Sequence, residues 1–319
     1  MSAVEKEVRL LHKAYQDALV VIGGRVLEAS LKELATSSAL TSASLVGASA
    51  RLAAIVYFWR QKARDLAVAH SQLERALLTG YTFPDDGNPF DGPPTLGSLR
   101  ESFYGRLADL GVARPLRAVT HDPSIRVSQE PLVGLADVER RINALLDAEI
   151  DTTINALGDE ALKRKLAGKS NVIDIGSRLA SGLERIALNG ARDHDDNVIR
   201  LDRRVVRYTR VHAYAGDNPC GWCSMLMTRG FLGGPQLYRS ESAGAQDGHD
   251  GFHANCHCTV RKIYLPSQLQ SDEFSLNREY AELWPKVTAG HSGKDALSAW
   301  RKFIRERSKQ RQVALAAAA

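Results

Sequence analysis

The chain has no long apolar segment and no recognisable export signal. Across its 319 residues, no stretch approaches the roughly 18 uncharged apolar residues that a membrane-spanning helix needs. The first residues, Met-Ser-Ala-Val-Glu-Lys-Glu, lack the basic region followed by an apolar region that is typical of a secretory signal. We therefore expect no membrane partner and no secretory leader.

Familiar catalytic motifs are also missing. The sequence contains no His-Glu-x-x-His, no Gly-x-Ser-x-Gly and no Gly-x-x-x-x-Gly-Lys, the motifs of metalloproteases, hydrolases and P-loop proteins. Pro219-Cys-Gly-Trp-Cys223 matches half of the zinc deaminase signature, but Asn255 stands where the proton-shuttling glutamate would be. The sequence thus indicates no catalytic residue and no small-molecule substrate.

A strong net charge is absent as well, although basic residues cluster in two segments. The formal net charge of +5 does not by itself indicate a nucleic-acid partner. One basic segment comprises Arg200, Arg203, Arg204, Arg207 and Arg210, and the other comprises Arg301, Lys302, Arg305, Arg307, Lys309 and Arg311. Either these segments neutralise DNA phosphates, or they form a solvated helix face and a frayed tail.

The N-terminal half carries apolar residues at helical spacing. About 44% hydrophobic and 25% charged residues are typical of a globular chain with enough material for a core. The pattern predicts one helix over 4–34 and a second over 41–78, in which Leu45, Leu52, Trp59, Leu66 and Leu73 recur every seven residues. The second stripe favours a hairpin within the chain, with an oligomer-forming coil as the alternative.

Composition divides the chain into three regions. Residues 1–168 are predicted to form a helical domain, with an arm rich in proline and glycine at 83–94 and further helices at 96–110 and 135–157. Residues 169–265 are predicted to form a small α+β module: a helix over 173–188 that Asn189-Gly190 ends, strands at 205–213 and 259–264, and a short helix at 224–229. Residues 266–319 are predicted to form C-terminal helices and a basic tail.

Cysteine is scarce, and its distribution is informative. All four cysteines occur as Cys220-Gly-Trp-Cys223 and His253-Ala-Asn-Cys256-His257-Cys258. Two short chelating turns separated by a long loop are typical of a zinc site, in which nitrogen and sulfur donors occupy tetrahedral corners. Because thiols remain reduced in a cytosol, metal binding is favoured over two disulfides.

Five strong donors compete for the four positions around the ion: Cys220, Cys223, His253, Cys256 and Cys258. Equal two-residue gaps favour Cys220, Cys223, His253 and Cys256. Residues two apart in an extended segment share a face, however, so Cys258 could replace His253. A site filled by four protein donors is structural. We therefore expect one structural Zn²⁺ and a mainly α fold, in which a long helical N-terminal region precedes a zinc-stabilised α+β module and C-terminal helices.

The segment around the cysteines resembles a known family. Asn189-Gly-Ala-Arg-Asp193, Asp217-Asn-Pro-Cys-Gly-Trp-Cys223 and Phe252-His-Ala-Asn-Cys-His-Cys258 are similar to the MuF-like minor head proteins of tailed actinobacterial phages. They are most similar to the branch often labelled capsid maturation protease. The resemblance covers about a quarter of the chain and includes Cys-x₂-Cys followed by His-x₂-Cys-x-Cys.

The resemblance implies a minor capsid protein for head morphogenesis, located in the virion head and, during assembly, in the host bacterial cytoplasm. It implies contacts with the portal and the major capsid protein, with scaffold as a further candidate partner, and a head-assembly function for the domain at 1–168. Packaged DNA is the partner that the basic segments themselves suggest. The alternative is a procapsid protease that processes scaffold or capsid subunits. The matched segment supplies no catalytic nucleophile, which favours the non-enzymatic function.

Overall fold

A computed structural model describes most of the chain. It covers residues 2–36, 42–84, 93–114, 121–134, 146–156, 172–212, 219–229 and 256–318, together with residues 140, 142, 159, 231 and 252. The fold over these residues is mainly helical with a small strand region, as predicted. Most of the 83–94 arm, the boundary at residue 168 and His253 lie outside the described residues. The division into three regions therefore stays a prediction.

Seven named helices carry the fold within the described ranges. They are α1 (Ala3–Ala35), α2 (Ser42–Thr79), α3 (Leu96–Asp109), α4 (Val172–Leu201), α5 (Gly221–Met227), α6 (Ser275–Val287) and α7 (Gly293–Ala318). Residues 146–156 are also helical, which confirms that part of the predicted 135–157 helix. Short 3-10 segments occupy Pro266–Gln270 and Asp272–Phe274. None of the described helices combines the length and apolar character required to cross a bilayer.

The main core lies where α1, α2 and α4 pack together. Leu11 and Tyr15 of α1, Leu52 and Leu66 of α2, and Leu183 of α4 are completely buried in it. Because Leu52, Leu66 and Leu73 of the seven-residue stripe are buried against neighbours in the same chain, α2 forms the predicted intramolecular hairpin. A capping box at Ser2 and Glu5 starts α1 by satisfying backbone N–H groups that the first turn leaves open.

Helix α4 does not end at Asn189-Gly190, so that prediction was wrong. The helix continues to Leu201, and Gly190 lies where α4 crosses α2. A Cβ atom at this position would clash with the Arg60 backbone. Arg60 also donates to the Ile186 carbonyl at 2.8 Å and to Asp193 at 2.6 Å. The glycine therefore permits close helix packing instead of ending the helix.

Two strands form an antiparallel ribbon beside the helices. They are β3 (Arg207–Val211) and β4 (Thr259–Ile263), numbered after two shorter strands, β1 (Tyr81–Thr82) and β2 (Ser128–Gln129). Arg207 lies opposite Ile263, and Val211 lies opposite Thr259, so both predicted longer strands are confirmed. The parallel pairing of β1 with β2 was not predicted, because it joins segments too distant for any local pattern to indicate.

The C-terminal helices fix the position of α5 next to the ribbon. Met227 and Leu226 of α5 pack against Trp300 of α7 in a separate apolar cluster. The Trp300 indole donates to Ser224 Oγ at 2.9 Å, and Asn277 of α6 donates to the Met227 carbonyl at 3.0 Å. These contacts hold α5, and therefore Cys223, against the end of the ribbon.

Candidate metal centre

Three cysteines converge where the ribbon meets α5. The sulfur atoms of Cys223, Cys256 and Cys258 all lie within 4.8 Å of one another, and all three residues are buried. Cys223 and Cys256 are closest, with 3.5 Å between their sulfur atoms. Two sulfur atoms bound at about 2.3 Å to a tetrahedral ion lie about 3.8 Å apart, so this spacing suits shared coordination.

The same distance excludes a disulfide between Cys223 and Cys256, because an S–S bond measures about 2.05 Å. All four cysteines are free thiols. The structure therefore favours metal binding over the alternative of two disulfides.

Local backbone conformation explains how the second group of donors converges. Cys256 and Cys258 lie two residues apart just before β4, so their side chains share one face. His257, between them, turns to the opposite side, where its Nε2 lies 3.0 Å from Glu184 Oε1. Cys258 therefore belongs to the cluster, which supports the alternative in which it serves as a donor.

Cys220 is exposed and lies beside Cys223, but outside the group of sulfur atoms that are all within 4.8 Å of one another. It is the N-cap of α5, and its Sγ accepts a hydrogen bond from the Cys223 backbone N–H at 3.3 Å. The predicted short helix thus begins at Gly221, earlier than the expected residue 224. Hydrogen bonds from Cys223 and from the backbone lower the pKa of the Cys220 thiol to about 6, which favours the thiolate that metals bind.

His212 is a candidate donor that sequence reasoning missed. Its Nδ1 lies 3.5 Å from Cys258 Sγ, because it directly follows Val211, the partner of Thr259 in the ribbon. The sequence does show that His212 follows a predicted strand, and a residue at that position could lie beside the second cysteine pair. Which residues lie beside His212 depends on how the two strands are aligned, and the sequence alone does not give that alignment.

Two buried arginines surround the sulfur atoms. Arg210 Nη1 lies 3.4 Å from Cys223 Sγ, and Arg192 Nη2 donates to the Cys256 carbonyl. Both guanidinium groups lie over the ring of Phe252, at 4.0 and 4.1 Å from its centroid. A buried cation is costly unless negative charge is close by, so negative charge on the sulfur atoms would offset the cost of burying both arginines.

The crowded thiols cannot easily supply that charge by themselves. Contact with Cys223 and Cys256, together with burial, raises the pKa of Cys258 well above its ordinary value. A bound cation would reverse this effect, because metal coordination deprotonates a thiol outright. The group of Cys223, Cys256 and Cys258 could therefore hold a metal ion.

The two basic segments have different surroundings. In the first, Arg210 is buried at the sulfur cluster and Arg204 pairs with Glu130 at 2.6 Å. In the second, Arg307 pairs with Glu279 at 2.6 Å. Four other residues of the second segment are exposed: Arg301, Lys302, Arg305 and Lys309. The side chain of Arg311 lies outside the described residues.

Comparison with known proteins adds one match. Residues 133–283 match the model of the VG15 protein family, a phage-associated viral gene family. The match contains every cysteine, both longer strands and most of α6, and it supports a phage origin for the chain. Searches of curated proteins and of solved structures found no match.

Proposed function

We propose that this chain is a minor capsid protein of a tailed phage, a MuF-like component for head morphogenesis that is stabilised by a structural zinc ion. The family match over residues 133–283 carries this proposal, because it coincides with the segment that contains the buried thiol cluster. The cysteine spacing of MuF-like minor head proteins gives independent support.

The proposed zinc donors are Cys220, Cys223, Cys256 and Cys258. Four thiolates around Zn²⁺ leave a net charge of −2, which Arg192 and Arg210 would neutralise. The lowered pKa of Cys220 and its contact with Cys223 support its place as the fourth donor. His212 and His253 are the alternatives. Filling all four positions leaves no vacancy for water or substrate, so the ion stabilises the fold.

The proposed location is the procapsid and virion head, next to the portal. The proposed partners are the portal, the major capsid protein and the scaffold, with synthesis and assembly in the bacterial cytoplasm. Purified virions and procapsids test this directly by quantitative mass spectrometry. We expect a few copies per particle that remain after tail removal, and absence from heads would contradict the proposal.

A capsid maturation protease is the competing function, suggested by the branch of MuF-like proteins that this chain resembles. Ser71 Oγ lies 2.9 Å from Lys262 Nζ, a spacing that suits a Ser-Lys nucleophile and base. Burial lowers the pKa of Lys262, but the nearby carboxylates of Asp195 and Glu74 outweigh burial and raise it. Lys262 therefore keeps its proton and is a poor base, and Ser71 is fully buried.

Co-expression with capsid and scaffold proteins separates these two functions. We expect full-length capsid and scaffold bands with the wild-type chain and with Ser71→Ala alike. Reproducible cleavage that a single substitution abolishes in a folded protein would establish the protease instead.

Packaged DNA is the proposed partner of the exposed basic residues on α7. If four cations contact phosphates, affinity for duplex DNA should fall roughly 100-fold between about 50 and 200 mM salt. The double variant Arg305→Glu with Lys309→Glu should weaken binding and flatten the salt dependence. Unchanged binding by this variant would remove α7 from the DNA contact.

A further inference from the structure

A second cluster of ligand-type side chains lies between α1 and α2, and it contains none of the cysteines. It consists of His12 from α1 and His70 and Glu74 from α2, all buried. One ligand atom from each residue lies within 4.8 Å of the other two. His70 and Glu74 are four residues apart on one helix, so they share a face.

The buried position of the His70 ring is not explained by hydrogen bonding. Burial, together with the charge of Lys262, lowers its pKa well below the usual value, so its ring is neutral. The ring stacks on Tyr15 with 4.0 Å between centroids. Neither ring nitrogen has a hydrogen-bond partner within the described part of the chain. Burying unpaired ring nitrogens is unfavourable, whereas a neutral imidazole is a common metal ligand.

His12 is oriented as a metal-bound histidine would be. Its Nδ1 lies 2.8 Å from Glu273 Oε2, and this carboxylate directs Nε2 towards Glu74 Oε1 at 2.7 Å. A carboxylate on the outer ring nitrogen is the usual support of a metal-ligating histidine. Without an ion, a proton occupies the space between His12 and Glu74.

The surrounding charges leave room for a cation. Lys262 lies 2.6 Å from Asp195 and 3.2 Å from Glu74, and Arg261 lies 2.9 Å from Glu273. With neutral imidazoles, these three carboxylates and two cations leave one excess negative charge. A proton on His12 neutralises this excess but gives His70 no partner. A divalent cation turns the single excess negative charge into a single excess positive charge, and it also uses the lone pair of His70.

We propose that His12, His70 and Glu74 form a second metal site, for a divalent first-row transition ion such as Zn²⁺. Two imidazoles and a carboxylate suit this class of ion. The ion replaces the proton on His12, which is released to solvent as the metal–nitrogen bond forms. Since this site shares no ligand with the thiol centre, the two sites are independent.

Metal counting with selective release tests the second site. Tag-free protein is dialysed against metal-free buffer and analysed by elemental analysis before and after treatment with an organic mercurial, which displaces only thiolate-bound metal. We expect about two ions per chain, of which about one remains after the mercurial. His70→Phe keeps the stacking on Tyr15 and should lose the resistant ion. His291→Phe, at an exposed histidine, should keep it.

The outcomes separate the two centres. Metal that the mercurial releases completely from the wild-type chain would overturn the second site, and so would a resistant ion that His70→Phe retains. A resistant ion without any mercurial-sensitive ion would support the second site and contradict the thiol centre. If His70→Phe does not fold, the wild-type measurement still decides, and His70→Asn provides a second variant.

Discussion

The residues around the thiol cluster differ in how well they can be predicted from the sequence. The cysteines could be found by spacing alone, because short chelating gaps have a direct chemical meaning. Arg192 and Arg210 could not, since nothing local indicates that two arginines on α4 and β3 meet over Phe252. Tertiary packing brings these two arginines to the thiols. From sequence alone, an arginine is predicted to be solvent-exposed, because most arginines are.

Cys223→Ser tests the thiol centre at the residue scale. We expect this variant to have a weaker near-ultraviolet charge-transfer band than the wild type after cobalt substitution, because one of the four proposed thiolate donors is missing. His257→Gln is the matched control, since His257 lies between two donors but faces Glu184. A charge-transfer band of wild-type intensity in Cys223→Ser would contradict the proposed coordination.

Asp196 provides a prediction about pH. Burial raises its pKa from 3.8 to about 6, although Arg200 acts in the opposite direction. Between these values the folded state binds more protons than the unfolded state, so stability falls as pH rises. We expect Asp196→Asn to be more stable than the wild type by roughly 2 kcal/mol at about pH 7 and nearly equal at about pH 4.

Chemical denaturation across this pH range measures the difference between the two proteins. Subtracting the wild-type free energy of unfolding from that of the variant cancels the contribution of the other titrating groups to the pH dependence. A gap between variant and wild type that does not change with pH would show that Asp196 titrates normally.

At the level of elements, the sequence predicts the existence of helices better than their ends. Periodic apolar residues predicted α1, α2 and α3 to within a residue or two, because each stripe faces one core. Gly190 misled the prediction for α4, because a glycine that permits close packing looks the same in sequence as one that ends a helix. The pairing of β1 with β2 depends on how segments distant in the sequence are aligned. The same holds for the contact of His212 with Cys258, and no local sequence pattern predicts such an alignment.

Gly190→Ala tests the interpretation of this helix crossing. The added methyl group would clash with the Arg60 backbone, and such overpacking typically costs about 1–3 kcal/mol. Gly24→Ala is the matched control: Gly24 is also helical, and nothing lies within 4 Å of its added Cβ. Alanine there should stabilise the protein by up to about 1 kcal/mol. Thermal unfolding of both variants checks the opposite signs.

At the scale of the whole molecule, stability has two sources. The helices α1, α2 and α4 share a large apolar core, whereas the ribbon and α5 rely on smaller clusters. Small modules of this kind depend on a metal when their apolar core is limited. The fold class could be predicted from composition and periodicity, but the packing of the ribbon against the helices could not.

Removal of the ion from the proposed thiol centre should therefore unfold the protein in two stages. We expect an organic mercurial, which displaces only thiolate-bound metal, to lower the melting temperature of the region around residues 207–263, while the α1, α2 and α4 core retains its helical signal. Hydrogen exchange with and without the mercurial locates the change. Uniform loss of protection over all helices would show that the metal supports the whole fold as one cooperative unit.

The position of Cys258, immediately before β4, links sulfur chemistry to strand alignment. Lys262 lies four residues further along and meets Asp195 inside the protein. Sliding the strand by a single residue would reverse its faces and leave that lysine without its carboxylate. An ion bound at the proposed thiol centre would anchor one end of β4 and so keep the Lys262 ammonium group correctly placed. A chain that folded without that ion would risk misalignment four residues beyond its last cysteine.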